Sequence, residues 1–191
     1  IGSCTMTIKG GWTNSGTVKI SEGTVKLSGS GVSLGTGALT VAEGAMLCGS
    51  SASALKNSSI VINGTLKPIV TETTALGKLV FSNQDVTISS TGTLSLNIAK
   101  ASTSATSMSG DNIKSINKLT INGTISLKFV GYVPNVGDEL RLWSGVKTFS
   151  GTPTIICDGA SVTFDTTRLS EGILIVQSAE STGIAQHLSP N

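Results

Sequence analysis

Residues 118–143 read KLTINGTISLKFVGYVPNVGDELRLW, and the facing of the side chains around Asn122-Gly123 decides the fold. Leu119 and Ile121 alternate with polar residues before the glycine, and Ile125, Leu127 and Phe129 alternate after it. Asn-Gly between such runs is ordinarily a hairpin signal. In a two-residue hairpin, however, Ile121 would pair with Thr124. Leu119 and Ile121 would then lie on one face and Ile125, Leu127 and Phe129 on the other, leaving neither face to water. A corner that bends the strand inward instead puts Ile121 and Ile125 on one inner wall.

The same phrase recurs in looser form at 18–27, 39–47, 60–66 and 86–98, with Glu22-Gly23, Glu43-Gly44 and Asn63-Gly64 at corners. Successive corners of this kind wind a chain into parallel stacked rungs, each ~20–30 residues long. The expected fold is therefore all-β: a right-handed single-stranded parallel β-helix, favoured over an antiparallel sandwich. Composition agrees. Of 191 residues 23 are glycine, only 4% are aromatic and 13% charged, which suits β-branched strands and tight turns. At such corners glycine is expected to supply positive φ.

The remaining organisation follows from where this phrase holds and where it fails. Residues 1–132 read as rungs, 133–178 as a C-terminal rung and cap region of longer strands, and 179–191 as a flexible tail. Residues 28–37 are glycine-rich but lack both phosphate-loop patterns, so they read as a loop. Residues 50–59 suggest a loop or one helical turn. The stretch 100–117 reads as a loop that leaves the body and returns at 113–116. The cap region holds Trp143, Phe149 and Phe164, with Tyr132 at its border, four of the seven aromatics of the chain. Large side chains there would cover the end of the stack and keep the protein monomeric.

The chemistry on offer is sparse. A formal net charge of +2 from scattered lysines and arginines gives no basis for binding nucleic acid. No apolar run reaches the ~18 residues of a membrane-spanning helix, so no membrane insertion is expected. Cys4, Cys48 and Cys157 have no metal or redox spacing and read as small fillers of the core, and the single histidine, His187, lies in the tail. No metal and no cofactor are expected. The acids are scattered, with Asp138-Glu139 the one adjacent pair, which argues against glycoside or polysaccharide cleavage. Asn57, Asn63 and Asn122 match a glycosylation acceptor and read more simply as corner residues. Candidate ligand-binding residues are Trp143, Tyr132 and Arg141, with Trp12 the other aromatic open to sugar stacking. If Leu140 and Leu142 face the core, alternation puts Arg141 and Trp143 on the outer surface.

Residues 16–47, GTVKISEGTVKLSGSG followed by LGTGALTVAEGAML, resemble the autotransporter-associated β-strand repeat. The C-terminal part is similar to the end of such passenger-like proteins. Asp111 precedes the Leu119–Thr124 phrase, followed by a P-x-x-G-D strand from Pro134, F-x-G at 149–151, and the F-D-T-x-x-L-x-x-G-x-L-x-V phrase at 164–176. The resemblance implies a right-handed parallel β-helix in a secreted or surface-attached bacterial protein and carries no catalytic residue. The tail segment STGIAQ looks like the linker before anchoring segments in Bacteroidetes proteins. The chain opens on Ile1 and reads as a piece of a longer or processed protein. The function expected is a non-enzymatic structural or adhesin-like segment of an exported surface protein, with surface glycans or proteins as partners. The alternative is the C-terminal part of a carbohydrate-processing or carbohydrate-binding β-helix protein whose active site lies upstream.

Overall fold

A computed structural model describes residues 4–29, 31–49, 53–69, 76–104, 106–159 and 161–180. Among them the chain is all-β apart from a single 3-10 turn. It begins with β1 (Thr5–Ile8), β2 (Val18–Ile20) and β3 (Thr24–Leu27), then β4 (Leu39–Val41) and β5 (Met46–Cys48). From there each pass has three strands: β6 (Ser53–Leu55), β7 (Ser59–Ile62) and β8 (Thr65–Lys67), then β9 (Lys78–Phe81), β10 (Asp85–Ile88) and β11 (Thr93–Ile98). The next pass is β12 (Asn112–Ile121) and β13 (Thr124–Phe129). After β14 (Glu139–Arg141) come β15 (Trp143–Ser150), β16 (Thr154–Asp158), β17 (Ser161–Asp165), the 3-10 turn Leu169–Glu171, and β18 (Ile173–Glu180).

Outside the C-terminal strands β14, β17 and β18, consecutive strands do not pair with one another; they pair with their counterparts one pass earlier and later, in parallel. One sheet is β1-β3-β5-β8-β11-β13-β16. The second has two arms that meet on β12: β2, β4, β7 and β10 stack onto its C-terminal half, β6 and β9 onto its N-terminal half, and β15 lies along both. The Asn122-Gly123 step thus joins strands of different sheets, as the facing argument requires. Ile121 and Ile125 are both fully buried, and so are Ile62 and Leu66 around Asn63-Gly64.

Register makes the interior continuous. Val25, Leu47, Leu66, Leu94 and Ile125 are successive partners in the first sheet, and Leu39, Ile60, Val86 and Leu119 in the second. Each such side chain contributes about 1.5–3 kcal/mol on burial, and only stacking removes both of its flanks from water. Ile121→Ala is expected to cost ~2–5 kcal/mol, whereas its outward neighbour Thr120→Ala stays within ~0.5 kcal/mol. Equal shifts in urea midpoint for the two would contradict this facing.

The two arms of the second sheet meet at a bend one residue long. Asn83 (φ 62°), Ser115 (φ 62°) and Gly145 (φ 63°) adopt left-handed backbone at this bend in three successive passes. Asn83 N donates to Ser115 O at 2.9 Å, so the bend stacks like the strands do. Alternation within β12 breaks at Ser115 and again at Asn117-Lys118, both exposed, so that Ile113, Ile116, Leu119 and Ile121 all face inward.

Several expectations are corrected. Residues 53–55 form β6 in place of a loop or helical turn. The segment after β11 does not leave the body. Ala99 N donates to Ser109 O (2.9 Å), Ser102 N to Glu139 O (2.7 Å), and Gly110 bridges Ile98. β15 was hidden because Gly145 breaks its alternation. Ala179 and Glu180 belong to β18, not to a tail; residues 181–191 lie outside the described residues. At the C-terminal end β14, β18 and β17 form a small antiparallel sheet whose Leu140, Leu174 and Val176 join the same hydrophobic core.

Candidate functional site

The three residues proposed for ligand contact occupy different environments. Trp143 is not on the surface: its residue is 1% exposed and its ring stacks on Phe149 with centroids 5.3 Å apart. Alternation from Leu140 assumed a single strand. Instead β14 ends at Arg141, Leu142 forms the bend with its N–H donating to Gly172 O (2.8 Å), and Trp143 opens β15. There it stacks in register on Ile113, which stacks on Leu79, both interior positions. Leu140, Leu142 and Trp143 are therefore all core, and the indole cannot serve as a ligand platform.

Arg141 is half-buried. Its backbone N–H donates to Ser109 Oγ at 2.8 Å, and its Nη1 reaches Glu171 O at 3.5 Å. Tyr132 is also half-buried, 6.0 Å from the Phe129 ring, and its hydroxyl donates to Asp138 Oδ2. Asp138 also accepts from Asn135 N at 2.8 Å, so the group closes the 132–138 turn. Desolvation, then the Asp138 carboxylate, holds the Tyr132 hydroxyl above its usual range; the Tyr132 hydrogen bond lowers Asp138. On that turn Val133 and Val136 project into solvent.

Arg168 and Asp111 are both held by contacts within the fold. Arg168 bridges Glu139 (2.5 Å) and Glu171 (3.0 Å) at the surface, where solvent screening leaves such pairs little net effect on stability. Asp111 is fully buried and accepts from Gly77 N (2.6 Å) and Asn97 N (2.9 Å), tying the start of β12 to the preceding pass. Burial raises its carboxyl above the ordinary range, while those two N–H groups and the charge of Lys67 pull it back. Its spacing ahead of the 119–124 phrase is thus explained by backbone bonding.

Cys48 is buried and Cys157 half-buried, and burial pushes each thiol up to about 11, which keeps them protonated and unreactive at neutral pH. Cys4, expected as a core filler, is exposed. Asn57 is fully buried, and its amide donates to Leu34 O (3.0 Å) and Gly37 O (2.9 Å), a corner clamp closed to glycosylation in the folded chain. Among the described residues no group of three or more His, Cys, Asp or Glu is placed to hold a metal ion, and no helix is long and apolar enough to cross a membrane.

Of the aromatics considered for stacking, Trp12 is the one turned to solvent, at 42% exposure. It forms an isolated parallel bridge with Leu34, in the segment between β3 and β4. On one side it borders a shallow groove of about 380 Å³ lined by Gly11, Thr13, Thr36 and Lys56. On the other it borders an apolar hollow at the N-terminal end. Alternation of residues 4–8 resembles that of any interior strand; among the described residues β1 pairs with β3 alone. Comparison with protein-family models, curated proteins and solved structures finds no match.

Proposed function

We propose that the stacked sheets form a right-handed single-stranded parallel β-helix, closed at its C-terminal end by residues 133–178. We further propose that this solenoid is a non-enzymatic stalk or adhesin-like scaffold of an exported bacterial surface protein. The observation that carries this reading is the residue-for-residue register between passes. Each pass adds one strand to each of the two main sheets, about 4.8 Å, which is how a repeat protein gains length. The right hand follows from the near-universal handedness of parallel crossover connections. The autotransporter-like repeat at 16–47 supports the surface assignment.

The outer columns fit the same role. Thr65, Thr93, Thr124 and Thr154 lie in one register row, and Thr40, Val61, Thr87 and Thr120 in another. Small neutral rows of this kind keep a long surface wet and leave partner recognition, to surface glycans or proteins, to exposed turns such as 132–138. The protein is expected to release no reducing or unsaturated ends from a broad polysaccharide panel, and EDTA to leave its melting temperature unchanged. Cleavage of any member of the panel, or a clear drop in melting temperature with EDTA, would overturn the scaffold reading.

A further inference from the structure

The lysines are scattered in sequence, but register gathers two of them on one outer face. Lys78 of β9 stands beside Asn112 of β12, and Val80 beside Lys114. On its other side Lys114 stands beside Ser144 of β15. Leu79, Ile113 and Trp143, which alternate with these residues, are buried, so the five side chains share the outward face of three adjacent strands. The group lies on the flank of the stack, around a strand paired on both sides. Unlike the neutral threonine rows, it is charged. Hydrogen bonding to Lys114, and then the charge of Lys114, lowers the pKa of Lys78, so the two side-chain amines stand side by side. Among the described residues no carboxylate forms a salt bridge with either. Of the acids near these strands, Asp111 is buried on the Gly77 and Asn97 N–H groups, and Asp85, beyond the bend, accepts from Asn117 at 2.8 Å. The Asn112 amide and the Ser144 hydroxyl make no hydrogen bond to another described residue, which leaves donors and acceptors open beside the two cations.

We propose that this outer face of β9, β12 and β15 binds an acidic glycan, with a carboxylate or sulfate group seated between Lys78 and Lys114 and sugar hydroxyls on Asn112 and Ser144. This rests on the scaffold reading, with surface glycans as partners, and names the class of glycan. Two neighbouring like charges repel, and an anion between them turns that repulsion into two attractions. A lysine acts as a compact point charge and takes sulfate or carboxylate alike, so both sources of the anion share one site. Nucleic acid fits less well. No aromatic side chain lies among the five to stack a base, and two cations are few beside the many phosphate contacts on which such binding rests.

Surface plasmon resonance of the full chain over immobilised dextran sulfate, polygalacturonate, neutral dextran and single-stranded DNA tests this. Binding to at least one acidic polysaccharide is expected, the sulfate and carboxylate surfaces telling the two sources apart, with none to neutral dextran. Raising the salt from ~50 to ~200 mM should weaken binding about tenfold, the effect of neutralising two anions. Lys78→Gln with Lys114→Gln should lower affinity ~10-fold or more, whereas Lys9→Gln with Lys19→Gln, the same charge removed at exposed positions elsewhere, should change it less than ~2-fold. Should the first pair fail to fold by circular dichroism, Ser144→Glu gives a second reading: a carboxylate built in beside Lys114 takes the place of the ligand's own and should abolish binding. Failure of the unmodified chain to bind either acidic polysaccharide would overturn the proposal. So would equal losses for the two lysine pairs, undiminished binding by Ser144→Glu, or equally tight binding to neutral dextran or DNA. The scaffold reading falls instead on polysaccharide cleavage or on the EDTA melt, so the two can fail separately.

Discussion

Gly123→Ala is expected to destabilise the protein by more than ~4 kcal/mol, the exceptional end of single-substitution effects. A Cβ at this position would sit 2.1 Å from Gly92 O and 2.3 Å from Ser89 O, two backbone atoms of the previous pass. Neither carbonyl is free to move. Gly92 O accepts from Thr124 N (2.9 Å) and Ser89 O from Gly92 N (3.0 Å), so relieving the clash means parting the two passes at the corner. The same crowding holds at Gly64, 2.2 Å from Ala45 O, and at Gly92, 2.2 Å from Ile62 O. None of these three has positive φ, so left-handed backbone is not their reason. Gly131 is the opposite case, with φ 62° and nothing within 4 Å of its would-be Cβ. Gly131→Ala should cost only the ~1–2 kcal/mol of left-handed strain. Urea melts of the two variants separate the explanations, and comparable losses would show that the corners tolerate a methyl group.

That contrast also shows how far the sequence could be read. The corners were legible because facing is an arithmetic property of strands: with Ile121 and Ile125 both apolar around Asn-Gly, the inward corner is the arrangement that buries both. The reason for the glycine was not legible, since it lies in contacts between residues about thirty apart, such as Gly123 with Gly92. The bend at Ser115 was silent for another reason. Serine is not a residue that favours left-handed backbone, and its φ of 62° is held by stacking between Asn83 and Gly145. Trp143 was misplaced because the break at Leu142 falls inside an unbroken alternating run, and only its pairing with Ile113 shows that a new strand has begun.

A chain ending at Val130 is expected to aggregate or form filaments, while one ending at Glu180 keeps the behaviour of the full chain. Removing residues 131–180 takes away β15 and β16, the register partners of β12 and β13, and the antiparallel sheet above them. Ile121, Ile125, Leu119 and Leu127, all fully buried, would form the new end of the stack beside unpaired edges of β12 and β13. At about 25 cal/mol per Å², even a few hundred Å² of newly exposed apolar surface amounts to several kcal/mol per molecule in favour of association. The cut at Glu180 is placed there because Glu180 still pairs with Ser161 and Ala179 still packs on the core. Geometry then sets the form of the assembly. Unpaired strand edges beside an exposed apolar core keep recruiting copies, whereas a covered end does not. Light scattering over a dilution series distinguishes these: growth without a limiting size for the chain ending at Val130, and a fixed mass for the chain ending at Glu180. A soluble shorter chain of discrete mass would mean that residues 131–180 are not what closes the C-terminal end.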